Sequence, residues 1–183
     1  AAVLGLVANT AALAAPVSVV DDTGQTVTLT APAKRIVSLA PHITELLYAA
    51  GAGDRVVATV EHSDYPEAAT KLPRVGGYSR IDLEAVAAAK PDLVIAWQSG
   101  NAVAHLDKLK SLGLPLFLSQ PNRIEDVATS LEKLGQLAGT APAAEAAADR
   151  FRRQLADLDK RYRQRPKVRV FYQVWKQPLL TVG

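Results

Sequence analysis

The sequence predicts an α/β lobe built on an open, mostly parallel sheet, followed by a long backbone helix and the first strand of a truncated second lobe. Three observations lead there. Between residues 36 and 138, short apolar runs alternate with helical patterns, as buried parallel strands and their crossovers do. Each of those helical patterns closes on a glycine or a Lys-Pro pair. From 142 to about 165 the helical pattern then runs on without a breaker, spanning about 33 Å, the width of a whole domain.

Residues 17–20 and 25–30 flank Asp21-Asp22-Thr23-Gly24, a strand, turn, strand signal of the hairpin kind. The runs 36–39, 56–60, 93–97 and 114–118 supply the parallel strands, with right-handed crossovers between them. The helices are expected at 44–50, ended by Gly51; 82–89, stopped by Lys90-Pro91; 102–112, ended by Gly113; and 124–138, ended by Gly139. The 142–165 helix is too long for a crossover and reads as a brace leading away from the lobe. Residues 168–175 read as a strand before the turn marked by Pro178 and Gly183. That strand either joins the sheet before it or opens a second lobe. The expected organisation is a signal-peptide remnant over 1–14, an N-terminal α/β lobe over 15–141, an interlobe helix over 142–166 and the start of a C-terminal lobe over 167–183.

Composition narrows the function. With 183 residues, 49% hydrophobic and 21% charged, the chain is neither collagen-like, coiled-coil nor disordered. Having no cysteine, it has no thiol nucleophile, no Cys-ligated zinc and no iron-sulfur cluster. Residues 1–148 carry 11 basic and 15 acidic side chains, against 9 and 3 in 149–169. In that basic stretch the arginines interleave with Phe151, Leu155, Leu158 and Tyr162 at helical spacing, so it reads as a solvated helix face and not a nucleic-acid site. The uncharged, apolar start ends in Ala12-Leu13-Ala14, the small-residue pattern of a secretory cleavage site, and implies export. It is too short to span a bilayer.

In open α/β sheets the ligand site lies beyond the carboxyl ends of the strands. Those ends carry Ala40-Pro41-His42, then Glu61 to Pro66 with Tyr65 among them, then Gln98-Ser99-Gly100-Asn101 after Trp97, then Ser119 to Asn122. One rim therefore gathers aromatics, histidines and amides. No dinucleotide, phosphate-loop, nucleophile-elbow or H-E-x-x-H motif is present, and His62-Ser63-Asp64 are sequence neighbours that need not converge as a triad. The expectation is a protein that binds and does not catalyse. His42, His62 and Glu61 offer two or three metal ligands; the alternative is that each histidine bonds a backbone carbonyl. Trp97 divides between core packing and ligand contact, while Tyr65 and Tyr78 sit in Pro- and Gly-flanked loops where core packing explains less. A cleft walled by aromatic faces suits a large, rigid, partly apolar ligand.

Taken together, Arg35-Ile36-Val37-Ser38-Leu39-Ala40-Pro41, Thr44-Glu45, Ser63-Asp64-Tyr65-Pro66 and Lys90 through Trp97 resemble the helical-backbone family of periplasmic substrate-binding proteins that serve ABC importers, with the strongest likeness to its cobalamin-binding members. The resemblance covers about residues 33–183. It implies two α/β lobes joined by one rigid helix, a ligand held between them, no cofactor of the protein's own, a monomer, a periplasmic location and an ABC permease as partner. It also implies that Tyr65, Tyr78 and Trp97 face a corrinoid, with an aromatic of the terminal strand facing it from the other lobe. The candidate contacts are thus Pro41, His42, Tyr65, Tyr78, Trp97 and Gln98 on the rim and Trp175 on the terminal strand. Gly77-Tyr78-Ser79-Arg80 is also similar to haem-binding relatives, in which the tyrosine ligates iron; Arg74 and Arg80 suit an anionic ferric siderophore. A metal-ion receptor is the third reading. Glu84, in Asp82-Leu83-Glu84, falls where such proteins carry a carboxylate that docks onto permease arginines; the alternative is a helix-start acid favoured by the macrodipole.

Overall fold

The computed structural model describes residues 15–77 and 79–181, with the side chain of Trp175 outside that set. The leader expected at 1–14 and the candidate ligand contact Tyr78 lie outside the described residues. The described chain separates into two compact units, the first running to Arg152 and the second starting at Arg153.

The first unit opens with the antiparallel hairpin β1 (Val17–Val20) and β2 (Thr26–Leu29). Asp21 shapes its turn: one carboxylate oxygen accepts from Thr23 N–H at 2.9 Å, Thr23 hydroxyl at 2.7 Å and Gln25 N–H at 2.9 Å. The parallel sheet follows, with strands β3 (Ile36–Ser38), β4 (Val56–Thr59), β5 (Leu93–Trp97) and β6 (Leu116–Ser119) in spatial order β4-β3-β5-β6. Side chains alternate between two cores, as the period of two in a strand demands. Ile36, Leu93, Ile95 and Phe117 pack on one face with the hairpin, α1 (Pro41–Ala49) and α4 (Asp126–Ala138). Val37, Ala58, Val94, Ala96 and Leu118 pack on the other with α2 (Leu83–Ala88) and α3 (Val103–Ser111). Helices on both faces explain why the strands are apolar throughout.

Two of the segments that carry the family resemblance meet in space. The Asp92 carboxylate accepts from the backbone N–H groups of Lys34 at 2.8 Å and Arg35 at 2.9 Å. Arg35 in return donates through Nη2 to the Ala89 carbonyl at 2.7 Å, and through Nε to those of Ala89 and Lys90, capping the end of α2. The starts of β3 and β5 are locked together at the end of the sheet opposite the rim.

Most elements fall where the residues place them; the first helix and the terminal strand differ. The first helix begins at Pro41 and not at 44, because proline at the first helical position has no N–H to lose and a φ already set for the helix. His42 therefore stands in the first turn of α1 and not in a loop. The long helix α5 is continuous over Ala141–Tyr162, tied at its start by Ala144, Ala147 and Ala148, which are buried. The expected strand at 168–175 is shorter: β7 covers only Gln173–Trp175 and pairs antiparallel with β8 (Leu180–Thr181), so its partner is the segment that follows it. In this second unit Val168, Val170, Phe171 and Tyr172 are exposed, and Arg165 lies over the Tyr162 ring at 5.2 Å.

Candidate functional site

The sheet order makes β3 and β5 neighbours whose following helices lie on opposite faces, α1 on one and α3 on the other. The chain parts there, and such a switch point leaves a crevice beyond the strand ends. Two of the sequence-expected contacts meet at it. The rings of His42, from the start of α1, and Trp97, the last residue of β5, stand 5.3 Å apart at 84°, an edge-on aromatic contact. Trp97 is half-buried, its ring packed on the core beneath. Burial holds the His42 imidazole below its ordinary pKa of 6.5 and so in the neutral form, and its buried Nε2 has no hydrogen-bond partner among the described residues.

The loops around this pair are braced from below. Asn101, buried, accepts from the Trp97 N–H at 2.7 Å and donates to the Leu39 carbonyl at 3.0 Å, joining the tips of β5 and β3. Under α1 and the loop after β4 runs a buried chain of hydroxyls. Ser38 Oγ lies 2.8 Å from Thr44 Oγ1, Thr44 Oγ1 lies 2.7 Å from Thr59 Oγ1, and Thr59 donates to Ser63 Oγ at 2.8 Å. The Arg74 guanidinium donates to the carbonyls of Val60 and Ser63, both at 3.1 Å, and reaches Asp64 at 3.3 Å. These donors are engaged in the loop that presents Tyr65, which turns Arg74 away from the role of partner to an anionic chelate. Tyr65 itself is 69% exposed, with its ring out on the rim.

The other expected residues divide. Pro41 starts α1 beside His42. Gln98 is on the rim, its backbone N–H bonded to the Ser119 carbonyl at 3.1 Å and its side chain exposed. Trp175 belongs to the second unit. His42, His62 and Glu61 do not form a metal centre: among the described residues no three histidine, aspartate or glutamate side chains gather as a cation would require. Glu84, in the first turn of α2, lines a polar depression of about 640 Å³ together with Glu61, Arg80 and Asp82. Asn101, Gly100 and the four hydroxyls are absent from the sequence-derived set. A serine or threonine ending an apolar strand, as Ser38 and Thr59 do, is the signal that marks the hydroxyl chain.

Comparison with known proteins places these features. The sequence profile of the Periplasmic binding protein family matches residues 36–180. The vitamin B12-binding protein of Vibrio parahaemolyticus is 44% identical over 152 residues, covering 83% of this chain and 55% of the relative. The crystal structure of the periplasmic vitamin B12 binding protein of Vibrio cholerae superposes with a TM-score of 0.78 at 42% identity, covering 82% of this chain and 59% of that one. The apo periplasmic heme-binding protein of Roseiflexus sp. RS-1 superposes with a TM-score of 0.66 at 28% identity, covering 76% and 55%. The chain spans about half the length of the curated relatives it matches.

Proposed function

The chain belongs to the Periplasmic binding protein family, and from that premise we propose that it captures cobalamin in the periplasm and delivers it to an ABC importer. The observation that carries the proposal is the aromatic rim at the switch point: Trp97 held edge-on by neutral His42, with Tyr65 exposed on the adjacent loop. Flat apolar faces in a crevice, supported by a fixed polar frame, suit a rigid macrocycle better than a small ion. Pro41, His42, Tyr65, Tyr78, Trp97 and Gln98 are the contacts of this lobe, with Trp175 contributed by residues 167–183 as the opening of a second one. In this reading residues 15–141 form the first lobe, 142–166 join the lobes, 1–14 belong to an export signal, the protein acts as a monomer without a cofactor or catalysis, and Glu84 meets the permease.

The haem reading rests on Tyr78 and on the likeness to the Roseiflexus protein, whose identity to this chain is lower than that of the B12-binding relatives. One experiment separates the ligands. The full-length protein is titrated calorimetrically with cyanocobalamin, haem and a ferric siderophore, and the absorbance spectrum of each mixture is recorded after desalting. Retained corrinoid absorbance and a saturable heat with cyanocobalamin alone are expected. Binding of haem or siderophore with none of cobalamin overturns the proposal.

A further inference from the structure

An aromatic platform binds a flat ligand well only if its plane is fixed before the ligand arrives, because ordering a free side chain on binding costs affinity. What fixes Trp97 is visible in the chain just after it. Residues 97–101 fold back on themselves, closed by the hydrogen bond from Asn101 N–H to the Trp97 carbonyl at 2.9 Å. The return brings Gly100 against the indole. A Cβ built at Gly100 would overlap Cε3, Cδ2 and Cζ3 of Trp97, so the indole occupies the space that any other residue at position 100 would fill. The second constraint is the His42 ring, set edge-to-face at 84°. Gly100 and the His42 imidazole thus both restrict the indole.

We propose that Gly100 and His42 are positioning residues that set the plane of the Trp97 indole, and that this preset plane makes the rim selective for a flat macrocycle. The inference rests on the reading that Trp97 faces the ligand; it gives His42, already a candidate contact, a second role through the tryptophan and adds Gly100, which does not itself need to touch what is bound. Gly100 acts by lacking a side chain; even a methyl group there must rotate or lift the indole. His42 acts as an aromatic ring standing perpendicular to the indole, so phenylalanine can replace it and alanine cannot.

The test uses the full-length protein and cyanocobalamin. Gly100→Ala should lower affinity about 10- to 100-fold and shift the indole N–H cross-peak of Trp97, assigned by its absence from Trp97→Phe, while far-ultraviolet circular dichroism stays that of the wild type. In a Trp97→Ala background the same Gly100→Ala change should cost less than about twofold, since a residue that acts through the indole has nothing left to act on. His42→Ala should lose about 3- to 10-fold and His42→Phe should recover most of it. Wild-type affinity in Gly100→Ala with an unmoved indole signal overturns the proposal, and so does an equal loss with and without the tryptophan. If the wild type binds no cobalamin, it is the ligand assignment that fails; the Trp97 cross-peak in Gly100→Ala and His42→Ala then decides the positioning claim alone.

Discussion

Replacing Asn101 with alanine removes the tie between the two strand tips that frame the crevice. The hydrogen bonds lost include one at 2.7 Å from the Trp97 N–H and one at 3.0 Å to the Leu39 carbonyl. Asn101 is 4% exposed, so neither backbone group has bulk water at hand to replace it. A buried polar group that loses its partner costs about 1–3 kcal/mol, and two such losses, reduced because Trp97 is only half-buried, give about 2–4 kcal/mol. Asn101→Asp is the informative companion. It keeps an acceptor for Trp97 but turns a carboxylate oxygen toward the Leu39 carbonyl, so at neutral pH it should be no more stable than the alanine variant. Urea unfolding of the full-length protein should show a lower midpoint with an unchanged slope, and the Trp97 amide should exchange with solvent faster in both variants. An Asn101→Ala protein within about 0.5 kcal/mol of wild type, with a protected Trp97 amide, would refute the reasoning, since the bridge would then carry no energy.

Tyr65→Ala should leave stability unchanged, because the ring is exposed, and weaken cobalamin binding by about 1–3 kcal/mol in calorimetry. Trp97→Ala should weaken binding and also lower stability by about 3 kcal/mol in urea, because its ring packs on the core. His42 is held neutral by burial, with its folded pKa below the ordinary 6.5. Its contribution to stability is therefore full above that value and lost as pH falls through the folded pKa, so His42→Phe should flatten the decline of the urea midpoint between pH 7 and 5; parallel pH profiles would contradict this. Glu84→Lys should bind cobalamin normally yet transport poorly in a reconstituted importer, with a salt-dependent defect, whereas a helix-start acid alone predicts a loss of about 0.5 kcal/mol and normal transport.

The layer order of the first unit was readable because its signals are local: continuous apolar strands, glycines after helices, an acidic turn between β1 and β2. The boundary at Pro41 was harder, since proline marks a helix start as readily as a loop, and choosing the loop displaced His42. The rim aromatics could be placed by counting from strand ends, but their support could not. Nothing near Asn101 announces that its amide reaches Leu39, 62 positions away. Gly100 reads in sequence as one more loop glycine, and only the folded-back indole gives its missing side chain a purpose. The segment 168–175 is rich in β-branched and aromatic residues, and the shorter β7 reflects that strand propensity needs a partner along its whole length.

The hydroxyl chain from Ser38 to Ser63 bears on how this frame can change over generations. Ser38, Thr44, Thr59 and Ser63 each bond a neighbouring hydroxyl, so the four side chains are coupled along a line that ends at the loop presenting Tyr65. A single exchange of threonine for valine keeps the shape but removes one partner from each neighbouring hydroxyl, whereas replacing the whole line by apolar groups can be nearly neutral. Substitutions at these four positions are therefore coupled, while Tyr65 and Gln98, exposed above them, can be exchanged without disturbing the hydroxyl line. Ligand preference can diversify on such a base one rim residue at a time, without the lobe having to be reinvented.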